Sequence, residues 1–290
     1  MKQFYCTLFV LIALFTAPNA KAQDIAKMED SLVVTADSMH HAFIPEMRQL
    51  YCEKFIKQLV RTLKTANSYN YPFTKLGASI NILQPEDKKF RLFNWAVNVA
   101  GATIRYYGAI QMQGEQLKLY PLIDYSQELG SGLEDSILTN GKWYGGIYYD
   151  ILARDYNGKT VYSFLGKNIN NLLSNIKVID PMSFSDNGLI FGAPIFSISG
   201  KKGTINRFVL EYRKDVSVSM KWDKDYNAII YDRLISQMND PNRKNTFVPT
   251  GQYDGLKWEN GKWTLLEDAL PVQIFKDGEA PVPKPTVPKQ

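Results

Sequence analysis

Residues 142–168 read KWYGGIYYDILARDYNGKTVYSFLGKN, two aromatic-rich runs around an Asn-Gly pair. Asn and Gly tolerate the positive φ that both central positions of a type I′ turn demand, so the pair predicts a two-residue hairpin with Asn157 and Gly158 at its tip. Counting outward, Tyr156 meets Lys159, Ala153 meets Tyr162, Ile151 meets Phe164 and Tyr149 meets Gly166. Side chains alternate between the faces of a strand, so Tyr149, Ile151, Tyr162 and Phe164 form one apolar side that the fold must cover. The other side is mixed and carries Tyr148, Asp150, Leu152 and Arg154. Trp143, Tyr144 and Tyr148 lie near the strand start beside Gly145-Gly146, where missing side chains would leave a shallow aromatic platform; these three are the candidate ligand-binding residues.

The same texture extends over residues 77–270 as short runs rich in Tyr, Phe, Ile and Val, broken by turn residues. It predicts an antiparallel β domain over 71–275, built as a sandwich, a curled sheet or a barrel. RFVLEYRKDVSVSMKWDKDYNAIIYDRL (207–234) reads as a three-stranded meander and admits a propeller, although no repeat of fixed period accompanies it.

Residues 23–70 are patterned differently. Cys52, Phe55, Ile56, Leu59, Val60 and Leu63 share one sector of a helix, with Glu53, Lys54, Lys57, Arg61 and Lys64 opposite. Ile25, Met28, Leu32, Ala36 and Met39 make a weaker stripe before a break at HHAFI, and Pro45 suits the first turn of a second helix. The fold class expected is therefore mainly β, with N-terminal amphipathic helices packed on antiparallel sheet. Cys52, inside its stripe, reads as a packed thiol.

At the N-terminus, Lys2, the apolar run FYCTLFVLIALFTA and the small residues Ala20 and Ala22 read as a signal peptide over 1–22, which predicts an exported protein, periplasmic or extracellular. Its removal takes away Lys2 and Lys21, lowering the formal charge from +5 to +3, and leaves Cys52 as the one cysteine. No internal disulfide is then possible. No later segment is apolar enough to span a membrane. Residues 276–290 form a proline-rich tail expected to be disordered.

The charge surplus is small and unclustered, so nucleic acid is not an expected partner. His40 and His41 are adjacent on a helix and point about 100° apart, unlike the paired histidines of a zinc helix. Neither a metal nor a cofactor is expected. Ser174, Lys177, Ser185, Asn187 and Lys202 echo the order of penicillin-binding enzymes, but the third element is transposed and the first precedes a β run. DKDYN (223–227) resembles the start of a calcium loop, yet Ala228 and Leu234 stand where Gly and Glu belong.

Among the carboxylates, which include Asp124, Asp180 and Asp254, the candidates for catalysis are Asp150 and Asp232. Each lies inside an apolar strand, where burial would raise its pKa and make it a proton donor; the alternative is solvent exposure or pairing with Arg154 or Arg233.

FNWAVNVAGATIRYYGAIQM, KWYGGIYYDIL, VIDPMSF and RFVLEYRKDVSVSMKWD resemble segments of a group of uncharacterised exported proteins of Gram-negative bacteria. The resemblance implies an envelope or extracellular address and brings no site residues. Three functions follow as expectations: a non-enzymatic binding or structural protein, a glycan-acting hydrolase using paired carboxylates, and a module docking an envelope protein through its N-terminal helices. The first is the principal one.

Overall fold

The computed structural model describes residues 17–101, 103–130, 132–198 and 204–270. The proline-rich tail and the first 16 residues of the expected signal peptide lie outside them.

Two helices, α1 (Ala17–His41) and α2 (Pro45–Leu63), are joined by the short connection 42–44. Pro45 opens α2, where its missing N–H costs no helical hydrogen bond. Leu32, Ala36 and Met39 of α1 meet Cys52, Phe55, Leu59 and Leu63 of α2, as the two stripes require, and together they cover a sheet.

That first sheet runs in the order β1 (Asn81–Leu83), β2 (Phe90–Ala100), β3 (Thr103–Met112), β4 (Leu119–Ile123), all antiparallel. β2 is buried on both faces because its alternation serves two cores. Phe93, Trp95 and Val97 meet the helices, and Phe90 and Leu92 face the other way. Glu29 of α1 fixes the docking by accepting from the Leu76 N–H (3.0 Å) and the Tyr71 hydroxyl (2.6 Å). Burial, and then the carboxylate itself, push Tyr71 up to about 12, so it stays a donor.

The second sheet is built from β5 (Leu138–Thr139), β6 (Ile147–Tyr156), β7 (Lys159–Asn168), β8 (Ser174–Ser185) and β9 (Gly188–Phe191), in the order β5-β9-β8-β7-β6. The third contains β10 (Phe196–Ser197), β12 (Met220–Asp223), β13 (Ala228–Ser236), β14 (Phe247–Glu259) and β15 (Lys262–Leu266), in the order β10-β15-β14-β13-β12. β10 pairs parallel to β15; the other pairings are antiparallel. β11 (Phe208–Arg213) does not join a meander with β12 and β13 but pairs with β8. The edge of β8 explains this: β11 pairs with residues 174–179 and β9 with 182–185, leaving Pro181, which has no N–H to donate, between them.

The result is layered: helical hairpin, first sheet, second sheet, third sheet, with no closed barrel among the described residues. The hairpin at Asn157-Gly158 forms as its turn chemistry dictates, with positive φ at both positions. Both of its faces are covered. Tyr162 and Phe164 pack toward the first sheet, while Val161 and Leu165 pack toward the third, where the Trp263 indole donates to the Ser163 hydroxyl (2.9 Å).

One register expectation is corrected. Gly166 pairs with Tyr148, not Tyr149, because β6 carries an extra residue between Tyr148 and Asp150. Tyr148 therefore turns into the core beside Phe164, and Tyr149 turns to the third-sheet side, donating from its hydroxyl to the Met220 carbonyl (2.8 Å). Gly166 makes room, since a Cβ there would stand 2.5 Å from the Tyr148 ring.

Candidate functional site

The rings expected to form an open platform are interior groups: Trp143, Tyr144 and Tyr148 are 0%, 4% and 1% exposed. The two glycines beside them are taken up by close approach instead. Gly145 has φ +71 and lies against the Asp124 carboxylate, and a Cβ at Gly146 would meet the Lys167 carbonyl at 3.2 Å. No surface is left open by their missing side chains.

A chain of buried polar groups holds this region. The Trp143 indole donates to the Tyr148 hydroxyl (2.8 Å), which donates to Asp180 Oδ2 (2.7 Å). Arg207 Nε donates to Asp180 Oδ1 (2.7 Å), and Nη1 donates to the Leu133 carbonyl (2.7 Å) and the Ser136 hydroxyl (3.1 Å). Both members of the Arg207–Asp180 pair are fully buried. Burial, with the Asp180 charge, raises the Tyr148 phenol well above its ordinary value and keeps it a donor.

Beside this chain a cleft of about 430 Å³ opens at the seam of the first and second sheets, within the span of small-molecule sites. Tyr144 and Tyr106 line it together with residues 168–172, which run from the end of β7 into its connection to β8. Asp124 shapes the wall, accepting from the Tyr106 N–H (2.9 Å), the Ser126 N–H (2.9 Å) and the Ser126 hydroxyl (2.7 Å). The Asn168 amide donates to the Gly145 carbonyl (2.8 Å), and the Ile169 N–H donates to the Tyr106 hydroxyl (2.7 Å). Asn170 donates to Ser174 Oγ (2.9 Å) and to Glu211 Oε1 (3.1 Å), the latter also accepting from Ser174 (2.5 Å). Among the described residues the lining carries amides, hydroxyls and aliphatic groups and no charged side chain.

Asp150 and Asp232 are placed apart, in the second and third sheets, and neither borders this cleft. Asp150 is half-buried and accepts from the Ile151 N–H (2.8 Å). Asp232 is buried and accepts from the Ser219 N–H (2.6 Å). Their arginine neighbours have other partners: Arg154 lies over the Trp222 ring (4.8 Å), and Arg233 pairs with Asp254 and with Asp268 (2.9 Å). His40 Nε2 meets the Ser79 carbonyl (3.1 Å) and His41 Nδ1 meets Asp37 (2.9 Å), so the two rings serve different neighbours. Asp223–Asn227 is a turn in which Asp223 accepts from the Asp225 N–H (3.0 Å), and Lys202 lies outside the described residues. Among the described residues no group of three or more His, Cys, Asp and Glu side chains could hold a metal ion.

Burial raises the Asp150 carboxyl above its ordinary value, and the sign of its contribution follows. A folded-state pKa above the unfolded one gives stability that is present below the unfolded value, about 3.9, and is lost as pH rises through the folded value. Asp150→Asn should thus raise the melting temperature more at pH 7 than at pH 4. Thermal scans of both proteins at the two pH values check this, and a larger gain at pH 4 would show the sign to be wrong.

Compared with family models, curated proteins and solved structures, the chain matches none. The cleft and its neighbouring polar chain therefore carry the functional argument by themselves. Of the residues at this seam, Tyr144 is marked in the sequence by its place among the aromatic runs, whereas Tyr106, Arg207 and the 168–172 segment are not. A charged residue beside an apolar run, such as Arg207 before FVLEYR, was the available signal for a buried pair.

Proposed function

We propose that this is an exported, non-enzymatic binding protein of the envelope or extracellular space, with the cleft at the sheet seam as its ligand seat. The observation that carries the reading is how the acids around the cleft are used. Asp124 accepts three hydrogen bonds that build the wall, Asp180 is engaged by Arg207 and Tyr148, and Glu211 is engaged by Ser174 and Asn170. None of them lines the cleft among the described residues, whereas hydrolysis of a glycosidic bond asks two carboxyl groups to face a substrate about 5–9 Å apart. The apolar run at residues 4–17 and the small residues at 20 and 22 support the exported address.

The test is incubation of the purified exported chain with insoluble envelope and plant-type polysaccharides, reading retention on the solid and release of reducing ends. Retention without release is the expected result. Release that Asp150→Asn or Asp232→Asn abolishes would establish the hydrolase instead.

A second reading, docking of an envelope protein through the helices, is favoured by one observation. Phe43, Ile44, Met47 and Leu50 stand exposed at the turn of the helical hairpin, with Phe43 at 95%. Phe43→Asp with Leu50→Asp should leave the melting temperature unchanged and abolish a crosslinked envelope complex formed by the parent chain; a complex that survives both charges argues against that surface.

A further inference from the structure

Phe43, Ile44, Met47 and Leu50 stand in water at the turn of the helical hairpin, 95%, 52%, 37% and 56% exposed. Four large apolar groups left in water by one short segment are unfavourable, so such a patch marks a surface that something covers. The residues that continue from it along α2 indicate what that is. Met47, Leu50, Lys54, Lys57, Arg61 and Lys64 follow at intervals of three and four positions, which puts them on one face of the helix, opposite Cys52, Phe55, Leu59 and Leu63. Lys54, Lys57, Arg61 and Lys64 are all exposed, and the face extends for about 25 Å.

The charge on this face is uncompensated. Among the described residues none of those four cations pairs with a carboxylate. Lys27 of α1 adds a fifth, because it lines, with Arg61, the groove of about 280 Å³ between the two helices, whose described lining holds no acid. The acids that border the face are Glu46 and Glu53 of α2 and Asp24, one turn before Lys27. Asp30 and Asp37 of α1 are engaged by Lys75 and His41. Cations therefore outnumber free acids along the whole face, and the apolar turn lies at its end.

Protein interfaces are depleted in lysine, whereas a lipid surface offers diffuse anionic charge directly beside apolar depth. We infer that the hairpin docks on a lipid surface bearing anionic headgroups. Phe43, Ile44, Met47 and Leu50 enter the acyl boundary, and the cations of the α2 face and of the groove meet the headgroup phosphates. The helices lie on such a surface, since no described helix is long and apolar enough to cross a membrane. This goes beyond the cleft reading, is independent of it, and gives the hairpin turn a lipid in place of a protein partner.

The experiment is co-sedimentation of the full exported chain with vesicles of equal parts phosphatidylglycerol and phosphatidylethanolamine and, separately, of phosphatidylcholine alone. Binding is expected on the first and about tenfold weaker or less on the second, with the difference shrinking as salt is raised. Phe43→Asp with Leu50→Asp should keep the parent's melting temperature, both positions being exposed, and abolish the binding. Lys57→Gln with Arg61→Gln should weaken it about thirtyfold, at about fivefold for each cation near an anionic surface. Lys221→Gln with Lys224→Gln, the same loss of charge at exposed positions on β12 and the turn after it, should leave it unchanged. Equal weakening by the two charge pairs would show attraction by net charge alone and overturn the inference. Absence of binding to the anionic vesicles, or binding that survives the two aspartates, would overturn it as well. A crosslinked protein complex formed by a chain that ignores the vesicles would also overturn it and make a protein the partner of this turn.

Discussion

Replacing Arg207 by Met is expected to destabilise the protein by about 3–5 kcal/mol, the usual consequence of leaving one charge of a buried pair uncompensated. Arg207 and Asp180 are both fully buried, and the guanidinium also holds the Leu133 carbonyl and the Ser136 hydroxyl. Met keeps much of the volume, so the loss reports the stranded Asp180 charge and the released acceptors more than a cavity. For a chain of this size the melting temperature should fall by on the order of 10 °C. Asp180→Leu added to Arg207→Met should recover part of the loss, because no charge then remains unpaired, although the Tyr148 hydroxyl still lacks its acceptor. Urea unfolding of the single and double variants measures both; a loss under about 1 kcal/mol for the single variant would mean the pair is not buried as described.

Phe90→Ala should cost a similar amount, about 3–5 kcal/mol. Its ring bridges the first two sheets, lying edge-on to Tyr162 at 4.9 Å and to Phe184 at 5.8 Å and stacking on Phe164 at 6.0 Å. Truncation removes those contacts and leaves a void between two sheets that cannot close around it without shifting both. Phe43→Ala, at the exposed helical turn, should change stability by less than about 0.5 kcal/mol. The contrast separates interior from surface phenylalanines in one unfolding series, and comparable losses at the two positions would contradict the layer order.

Why the hairpin was legible and its register was not comes down to where the information sits. The Asn-Gly turn is a local demand on two φ angles, and two adjacent residues announce it. The bulge at Tyr149 is one unpaired residue in a run of similar rings, and composition does not mark it; the trace it leaves is Gly166 on the partner strand, where a side chain would strike Tyr148. The helical stripes were legible because period 3.6 stands out against the period-2 texture that follows. The second covered face of β7 was less so, since Ser163 reads as a solvent residue until Trp263, a hundred positions later, is found donating to it. The cleft was hardest to see. It draws Tyr106, Tyr144 and Asn170 from separate parts of the chain, and amides and hydroxyls in loops carry no spacing rule.

The claim on which the functional account turns is that the cleft at the sheet seam is where a ligand is held. Hydrogen exchange of the purified chain, with and without saturating soluble fragments of a polysaccharide that retains it, addresses it directly. A ligand seated in the cleft should slow exchange at residues 103–106, 126–127 and 168–172, with the helical hairpin unchanged and no reducing ends released. Protection that falls on α2 instead, or none at the cleft, would contradict it.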